Sequence, residues 1–212
     1  MGAAQVLKSL IAGPAGAIEI AAHSPEGPPR ANAIVAHPHP LFGGSMDNKV
    51  VTSVARACVD AGAATWRFNF RGVGATEGAH DEGRGETDDM LAVIAHARAA
   101  HPALPLWIAG FSFGGAVALA AAGQASAEEL ILVAPSLKRL AQWQSTIAEI
   151  SPPANTLVIH GERDETVPLA DSIEWARSRE IPVTVIPGAD HFFHQRLHLI
   201  RLIVSRWLPA PK

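Results

Sequence analysis

Short apolar segments alternate with longer segments of helical spacing along nearly the whole chain of 212 residues. The apolar segments are rich in β-branched residues and bounded by Gly or Pro, which is typical of strands buried on both faces of a parallel sheet. They are Ala31–Ala36, Ala64–Phe70, Leu106–Ala109, Leu130–Val133, Thr156–Ile159 and Val183–Ile186. The helical segments between and after them are Lys49–Ala61, Glu86–Ala100, Gly115–Ala122, Leu169–Arg179 and His194–Trp207. This alternation predicts an α/β fold with a mostly parallel central sheet.

No linker, repeat or low-complexity tract interrupts the pattern, so we expect a single domain over residues 1–212. The opening segment, up to about Ala22, is predicted to add one or two edge strands. Its apolar stretch from Leu10 is interrupted by Pro14 and Glu19, which argues against a cleaved signal peptide. No other window reaches the roughly 18 uninterrupted apolar residues of a membrane span. We therefore expect a soluble cytoplasmic protein with no membrane partner.

Composition and charge exclude further classes of protein. The chain carries 17 Lys and Arg against 20 Asp and Glu, a net charge of -3. It thus lacks the basic excess that neutralises phosphates, and we expect no nucleic-acid partner. Hydrophobic residues make up 48% and charged residues 17%, as in a globular rather than a disordered chain. Cys58 is the single cysteine, which excludes an intramolecular disulfide and suits a buried thiol in a reducing compartment.

A candidate nucleophile lies at the junction between a predicted strand and a predicted helix. The strand that begins at Leu106 runs into Gly110-Phe-Ser112-Phe-Gly114, and a helix of small residues follows. In such a G-x-S-x-G turn the serine adopts a strained conformation, the glycines leave room for neighbouring backbone, and the hydroxyl stands above the sheet. The pentapeptide alone would also suit a turn that merely packs a helix on a strand. Its place between strand and helix favours a nucleophile elbow at Ser112.

A serine hydroxyl needs a general base within hydrogen-bond reach. In this topology an acid and then a histidine follow the serine, each on a loop after a later strand. Asp164 follows the strand Thr156–Ile159, and His191 follows the strand Val183–Ile186. We predict that His191 takes the serine proton and that Asp164 orients the imidazole. The rivals, which chain order and loop position disfavour, are Glu162 and Glu165 as acids and His160 and His194 as bases.

Together these motifs resemble the α/β-hydrolase fold serine hydrolases over nearly the whole chain. The loop His160-Gly-x-x-Asp164-x-x-Val-Pro is similar to the acid loop of that family, and Gly188-x-x-His191-Phe-Phe to its histidine loop. The segment Phe70–Gly78 fits its Arg-Gly-x-Gly-x-Ser/Thr loop. The segment Ala36–Lys49, with His-Pro-His-Pro-Leu-Phe-Gly-Gly, resembles small bacterial hydrolases related to dienelactone hydrolase. Dienelactone hydrolases proper have a cysteine nucleophile where this chain has Ser112, a departure that favours general ester chemistry over lactones.

A tetrahedral intermediate needs two backbone donors. The amide of Phe113, directly after the serine, is expected to be one of them. The resemblance implies that the second comes from the loop after the strand Ala31–Ala36, at His39 or, in an alternative register, at Leu41. Proline has no amide hydrogen, so Pro38 and Pro40 are excluded.

The spacing of the later strands indicates an open site. Only 22 residues separate Val133 from Thr156, room for one helix around Leu137 to Ile150 and for no inserted cap. The fold expected is therefore a three-layer α/β-hydrolase fold with no lid. The aromatic residues that would line an apolar pocket are Phe42, Phe111 and Phe192, with Phe113, Phe193 and Trp143 as further candidates. Core packing is the alternative for each of them.

The expected activity is cleavage of a short, neutral carboxylic ester through an acyl-enzyme on Ser112, because no Asp or Arg is placed to select a charged substrate. The expected partner is this small-molecule ester, and an exposed apolar mouth would suit a homodimer. A thioesterase or small peptidase with the same triad is an alternative, since leaving-group preference depends on the pocket. A hydrolase-fold protein that binds without catalysis is another.

Two further clusters have a simpler explanation than catalysis. Histidines at 37 and 39, and at 191, 194 and 198, suggest zinc ligands, but no carboxylate or cysteine set accompanies them. We therefore expect no metal and no cofactor. The acids Glu86, Asp88 and Asp89 open a predicted helix, where capping and the helix dipole account for them.

Overall fold

The computed structural model describes residues 6–138 and 150–209. Within these residues, eight strands form one sheet: β1 (Val6–Gly13), β2 (Gly16–His23), β3 (Ala31–Ala36), β4 (Ala63–Phe68), β5 (Leu106–Phe111), β6 (Glu129–Val133), β7 (Thr156–Gly161) and β8 (Val183–Ile186). The described helices are α1 (Lys49–Asp60), α2 (Arg84–Ala100), α3 (Phe113–Ala125), α4 (Leu169–Arg177) and α5 (Leu197–Trp207). A 3₁₀ turn spans Pro40–Phe42.

The strand order is β1-β2-β4-β3-β5-β6-β7-β8. The first two strands form an antiparallel hairpin at one edge, and the pairs from β4 to β8 are parallel. This is the α/β-hydrolase fold, and the edge strands expected before Ala22 are β1 and β2. The chain builds outward from β3 on both sides, so the carboxyl ends of β3 and β5 meet where an open α/β sheet forms its ligand crevice.

Two predicted boundaries move for visible reasons. The strand predicted to reach Phe70 ends at Phe68, because the amide of Phe70 donates to Nε2 of His37 instead of to a neighbouring strand. The last helix begins at Leu197 rather than at His194. Phe193 and Gln195 have φ of 53° and 60°, which no right-handed helix contains.

The apolar core fills both faces of the sheet. Helices α2 and α3 pack on one face with alternate strand residues such as Ile108, and α1 and α5 cover the other. Trp107 and Phe111 point to this second face, because successive side chains of a strand alternate. Cys58 is buried on α1 in the same layer, as predicted. Burial raises the pKa of its thiol to about 12, which makes it unreactive.

The connection from β6 to β7 comprises residues 134–155, which is too short for an inserted cap domain. The helix predicted from Leu137 to Ile150 lies for the most part outside the described residues. None of the helices in the described ranges combines the length and apolarity needed to span a membrane.

Candidate active site

Ser112 stands at a sharp turn between β5 and α3. Its backbone has φ 56° and ψ −118°, the strained conformation that the motif predicts for a non-glycine residue. Neighbouring backbone secures it, since the Ser112 amide donates to the carbonyl of Val133 at 2.9 Å and its carbonyl accepts from Ser136 N at 3.0 Å. The turn thus resists relaxation, and the hydroxyl lies beyond the carboxyl end of β5.

The two motif glycines are required by close backbone contacts. A Cβ on Gly110 would lie 2.0 Å from the carbonyl oxygen of Gly114. A Cβ on Gly114 would lie 2.3 Å from the carbonyl oxygen of His37, in the loop after β3. The second distance shows that the start of α3 packs directly against the backbone of that loop.

The structure brings Ser112, His191 and Asp164 into one hydrogen-bonded row. The serine Oγ lies 3.0 Å from Nε2 of His191, and Nδ1 of His191 lies 2.7 Å from Oδ2 of Asp164. All three side chains are buried, and they reach the row from loops after β5, β8 and β7. Because Nδ1 faces a carboxylate, it carries the ring proton, and Nε2 is then the acceptor for the serine hydroxyl.

Asp164 is held as a carboxylate by its surroundings. Oδ1 accepts the amides of Thr166 at 2.9 Å and Val167 at 2.8 Å. Nε2 of His160 lies 3.3 Å from Oδ2, beside His191. Burial alone would raise the pKa of this carboxyl, but the hydrogen bonds from His160, His191 and the Val167 amide outweigh it and hold the pKa well below its usual range. The carboxyl group is therefore ionised at neutral pH, where it can orient the His191 ring and stabilise its protonated form.

The loop after β3 is organised by two histidines. His37 is buried, donates from Nδ1 to the carbonyl of Pro38 at 2.6 Å and accepts the Phe70 amide at Nε2. Burial lowers its pKa to about 4, so the ring is neutral. His39 caps the 3₁₀ turn, because its Nδ1 accepts the amide of Leu41 at 3.3 Å. Of the two candidate donor amides of this loop, His39 and Leu41, the amide of Leu41 is thus already bonded to the His39 ring.

A cavity of about 240 Å³ opens above the serine. Its walls are Pro38, His39, Phe42, Gly43, Gly44, Asn48, Ser112, Phe113, Ser136, Thr166, Val167, His191 and Phe192. Phe42 and Phe192, predicted to line the pocket, are among them, and so is Phe113. The mouth is open, since Phe42 is 77% and Phe192 47% exposed.

The prediction that Phe111 lines the pocket is wrong. Phe111 is 1% exposed and lies on the face of β5 that packs against α1 and α5. Its ring centroid is 4.9 Å from that of His191, so it supports the histidine from below the turn. Phe193 is likewise buried in that layer, and Trp143 lies outside the described residues. The polar walls Asn48, Ser136 and Thr166 were not predicted, although Ser136 and Thr166 come shortly after the ends of β6 and β7.

Comparison with known proteins decides the family. The sequence profile described as serine aminopeptidase, S33, matches residues 28–153, a span that includes Ser112 and the loop after β3. The chain belongs to this hydrolase family. An uncharacterized protein of Rickettsia prowazekii is 32% identical over 92% of this chain and 86% of its own length.

Solved structures agree with this assignment. An α/β serine hydrolase without lid from Xanthomonas campestris is 38% identical, with a TM-score of 0.89 over 100% of this chain and 99% of that one. An α/β serine hydrolase homologue from Coxiella burnetii is 36% identical, with a TM-score of 0.87 over 96% and 97% of the two chains. An esterase from Pyrococcus furiosus, 16% identical with a TM-score of 0.80 over 97% of this chain and 92% of that one, shares the fold. The resemblance to α/β-hydrolase fold serine hydrolases is confirmed.

The rival acids and bases of this hydrolase lie in other settings. His160 is buried, with Nδ1 2.9 Å from Ser172 Oγ and Nε2 2.9 Å from the Val167 carbonyl. Both of its ring nitrogens thus have partners other than Ser112. His194 is exposed and pairs with Asp190 at 2.5 Å. Glu162 accepts the amide of Gly188 at 2.7 Å and so braces the loop that carries His191, while Glu165 is exposed.

The other clusters singled out in the sequence are also placed. In the part of the chain that the structure describes, no group of three or more His, Cys, Asp or Glu side chains is arranged to hold a metal ion. Glu86 caps α2, as predicted, by accepting the Gly83 amide at 2.8 Å. For Asp89 the capping explanation is wrong. Its carboxylate binds the guanidinium of Arg71 at 2.8 and 3.0 Å and fastens the loop after β4.

Proposed function

We propose that this hydrolase is a carboxylesterase that cleaves short, neutral carboxylic esters through an acyl-enzyme on Ser112. The observation that carries the proposal is the hydrogen-bonded row of Ser112, His191 and Asp164 at the floor of an open, mainly apolar cavity. A buried histidine between an ionised carboxylate and a serine hydroxyl is the arrangement that activates serine for acyl transfer.

The reaction proceeds in two displacements at the ester carbonyl. Ser112 Oγ bonds to the carbonyl carbon while Nε2 of His191 takes the hydroxyl proton and the carbonyl π electrons move to oxygen. The tetrahedral intermediate then collapses, the bond to the alcohol oxygen breaks, and His191 protonates the leaving alcohol. Water attacks the acyl-enzyme in the same way, giving its proton to His191, and collapse releases the acid and restores the serine hydroxyl. Throughout, Asp164 stabilises the imidazolium that forms at His191.

The negative oxygen of each intermediate is assigned to the amides of Phe113 and His39. Phe113 is the first residue of α3, where backbone N–H groups have no partner within the helix. His39 is favoured over Leu41 as the second donor, because the Leu41 amide donates to Nδ1 of His39. The contact between Gly114 and the His37 carbonyl brings the two donor segments together.

The cavity supports a small neutral substrate. At about 240 Å³ it lies below the roughly 300–1,000 Å³ typical of drug-sized ligand sites, which suits a short acyl group. Its apolar walls include Phe42, Phe113 and Phe192. The described wall residues include no Asp, Glu, Lys or Arg. An aminopeptidase must hold the free amino group of its substrate, and the absence of a carboxylate among the described wall residues favours an ester over that alternative.

The test is hydrolysis of p-nitrophenyl esters of increasing acyl length by the wild type, Ser112→Ala and Ser53→Ala. Ser53 lies on α1, where its hydroxyl donates to the Lys49 carbonyl, and serves as a matched control. We expect turnover that peaks at short chains and covalent labelling by a fluorophosphonate, both lost in Ser112→Ala and kept in Ser53→Ala. Labelling together with faster cleavage of aminoacyl p-nitroanilides than of esters would favour the peptidase. A folded wild type without labelling would refute an activated serine.

A further inference from the structure

A second carboxylate and imidazole pair lies beside the loop after β3. Glu86 is buried at the start of α2, and its Oε1 lies 2.7 Å from Nδ1 of His80. The same oxygen accepts the Asp81 amide at 3.0 Å, while Oε2 accepts the Gly83 amide at 2.8 Å. Capping of α2 therefore uses one oxygen, and the other is directed at His80. Backbone donors fix the carboxylate on both sides, so the carboxylate in turn fixes the ring of His80.

The ring of His80 faces the two residues to which the oxyanion amides are assigned. Its centroid lies 4.8 Å from that of His39 and 5.6 Å from that of Phe113. His80 is not part of the cavity wall, whereas both of these neighbours are. The ring of His80 therefore reaches the cavity wall through its contacts with His39 and Phe113.

The ring of His39 contacts three other rings and is also bonded to the backbone of its own loop. Its centroid lies 4.8 Å from those of the Phe42, His80 and Phe113 rings. Its Nδ1 accepts the Leu41 amide and so caps the 3₁₀ turn. The backbone closes that turn, since the Phe42 and Gly44 amides donate to the His39 carbonyl. If the ring turned away, the Leu41 amide would lose its acceptor while these backbone bonds remained, so the ring bears on the position of the His39 amide and not on the register of the loop.

We propose that His80, anchored by Glu86, is a positioning residue that holds the His39 ring and thereby the second oxyanion donor. The inference rests on the proposed function, because it assumes that the amide of His39 serves an intermediate formed on Ser112. It assigns a role to a segment, residues 80–86, that lies outside the three loops of the triad. The role is mechanical, since His80 itself touches neither the serine nor the cavity.

The test compares His80→Ala and His80→Phe with His96→Ala, an exposed histidine of α2 that serves as the control. His80→Phe keeps a ring of similar size and removes the hydrogen bond to Glu86. The measurements are kcat and KM for p-nitrophenyl acetate, Ki for a trifluoromethyl ketone, which forms a tetrahedral adduct with the serine, and the melting temperature. Displacement of a donor by about 1 Å is expected to lower kcat by up to about 10²-fold. KM should stay within about twofold, because the ground state makes little use of the oxyanion donors.

The ketone separates positioning from general damage. Its Ki should rise by the same factor as kcat/KM falls, since both depend on binding of the tetrahedral oxygen. A folded His80→Phe with the wild-type kcat and Ki would overturn the proposal, and so would a loss confined to melting temperature. If His80→Ala does not fold, His80→Phe and His96→Ala decide alone.

Fluorophosphonate labelling distinguishes this inference from the proposed function. The serine Oγ gives its proton to His191 and bonds to phosphorus as the P–F bond breaks and fluoride leaves, a reaction that needs an activated serine but no ester substrate. An unlabelled wild type would refute the proposed function. If the wild type is labelled and His80→Phe turns over p-nitrophenyl acetate with the wild-type kcat, only the role of His80 is refuted.

Discussion

Replacing Asp164 by asparagine changes one acceptor oxygen of the triad into a donor with almost no change in volume. In the native site the amides of Thr166 and Val167 point at Oδ1, and His191 and His160 point at Oδ2. An asparagine that keeps its oxygen toward the two amides must turn its NH₂ group toward His191. The opposite orientation would set NH₂ against the two amides and leave both without an acceptor, at about 1–3 kcal/mol each. The first orientation is therefore preferred.

With NH₂ facing Nδ1, the His191 ring keeps its proton on Nε2 and cannot accept another from Ser112. In serine triads the wrong tautomer lowers kcat by about 10⁴-fold. At 1.36 kcal/mol for each tenfold change, this is roughly 5 kcal/mol of added barrier. We expect a loss of this size in Asp164→Asn. The variant should still show a cooperative melting transition, which establishes that it is folded.

The assay is kcat for p-nitrophenyl acetate, with Asp190→Asn as the control. Asp190 pairs with His194 at 2.5 Å, the same chemistry on an exposed surface, and its replacement should leave kcat within about twofold. A folded Asp164→Asn within about tenfold of the wild type would refute the argument, because the carboxylate would then not determine the tautomer of His191.

Two other predictions concern histidines. His191→Ala is expected to lose turnover as completely as Ser112→Ala, whereas His194→Ala should retain it because the exposed His194 ring pairs with Asp190. Steady-state kinetics of both variants test this. Loss of turnover in His194→Ala but not in His191→Ala would show that the wrong base is assigned. Burial lowers the pKa of His37 from 6.5 to about 4, so between these values the unfolded state binds a proton that the native state does not. The contribution of His37 to the free energy of unfolding should fall by about 3 kcal/mol as the pH drops from 6.5 to 4, and should change no further below pH 4. Urea unfolding of His37→Asn should lack this part of the pH dependence. If its free energy of unfolding fell with pH as steeply as that of the wild type, the prediction would be wrong.

Features determined by local sequence were predictable. Buried strands and amphipathic helices follow from hydrophobic spacing, and the carboxyl ends of parallel strands meet at one edge of the sheet. Ser112, Asp164 and His191 each lie on the connection that follows such a strand, so their proximity could be expected from the order of strands and loops alone. Strand alternation could also have excluded Phe111 from the pocket, since it shares a face with Trp107.

Side-chain contacts made within irregular loops left no comparable pattern. His160 follows the predicted strand Thr156–Ile159 as Asp164 does, and only its bonds to Ser172 and the Val167 carbonyl show that it lies behind the acid. The pairing of His80 with Glu86 joins a loop to a helix start, and periodicity does not indicate where that loop turns. Such contacts depend on packing in three dimensions rather than on spacing along the chain.

The strand β8 has a consequence for how the protein tolerates heat. It has four residues, most of them partly exposed, and it ends the strand order beside β7. The loop that carries His191 begins directly after it, whereas Ser112 lies between β5 and α3, which are buried through Ala122. Edge segments with few buried contacts open at lower free energy than the core. We therefore expect β8 to open on warming before β5 and α3 do, so that esterase activity falls at a lower temperature than helical circular dichroism.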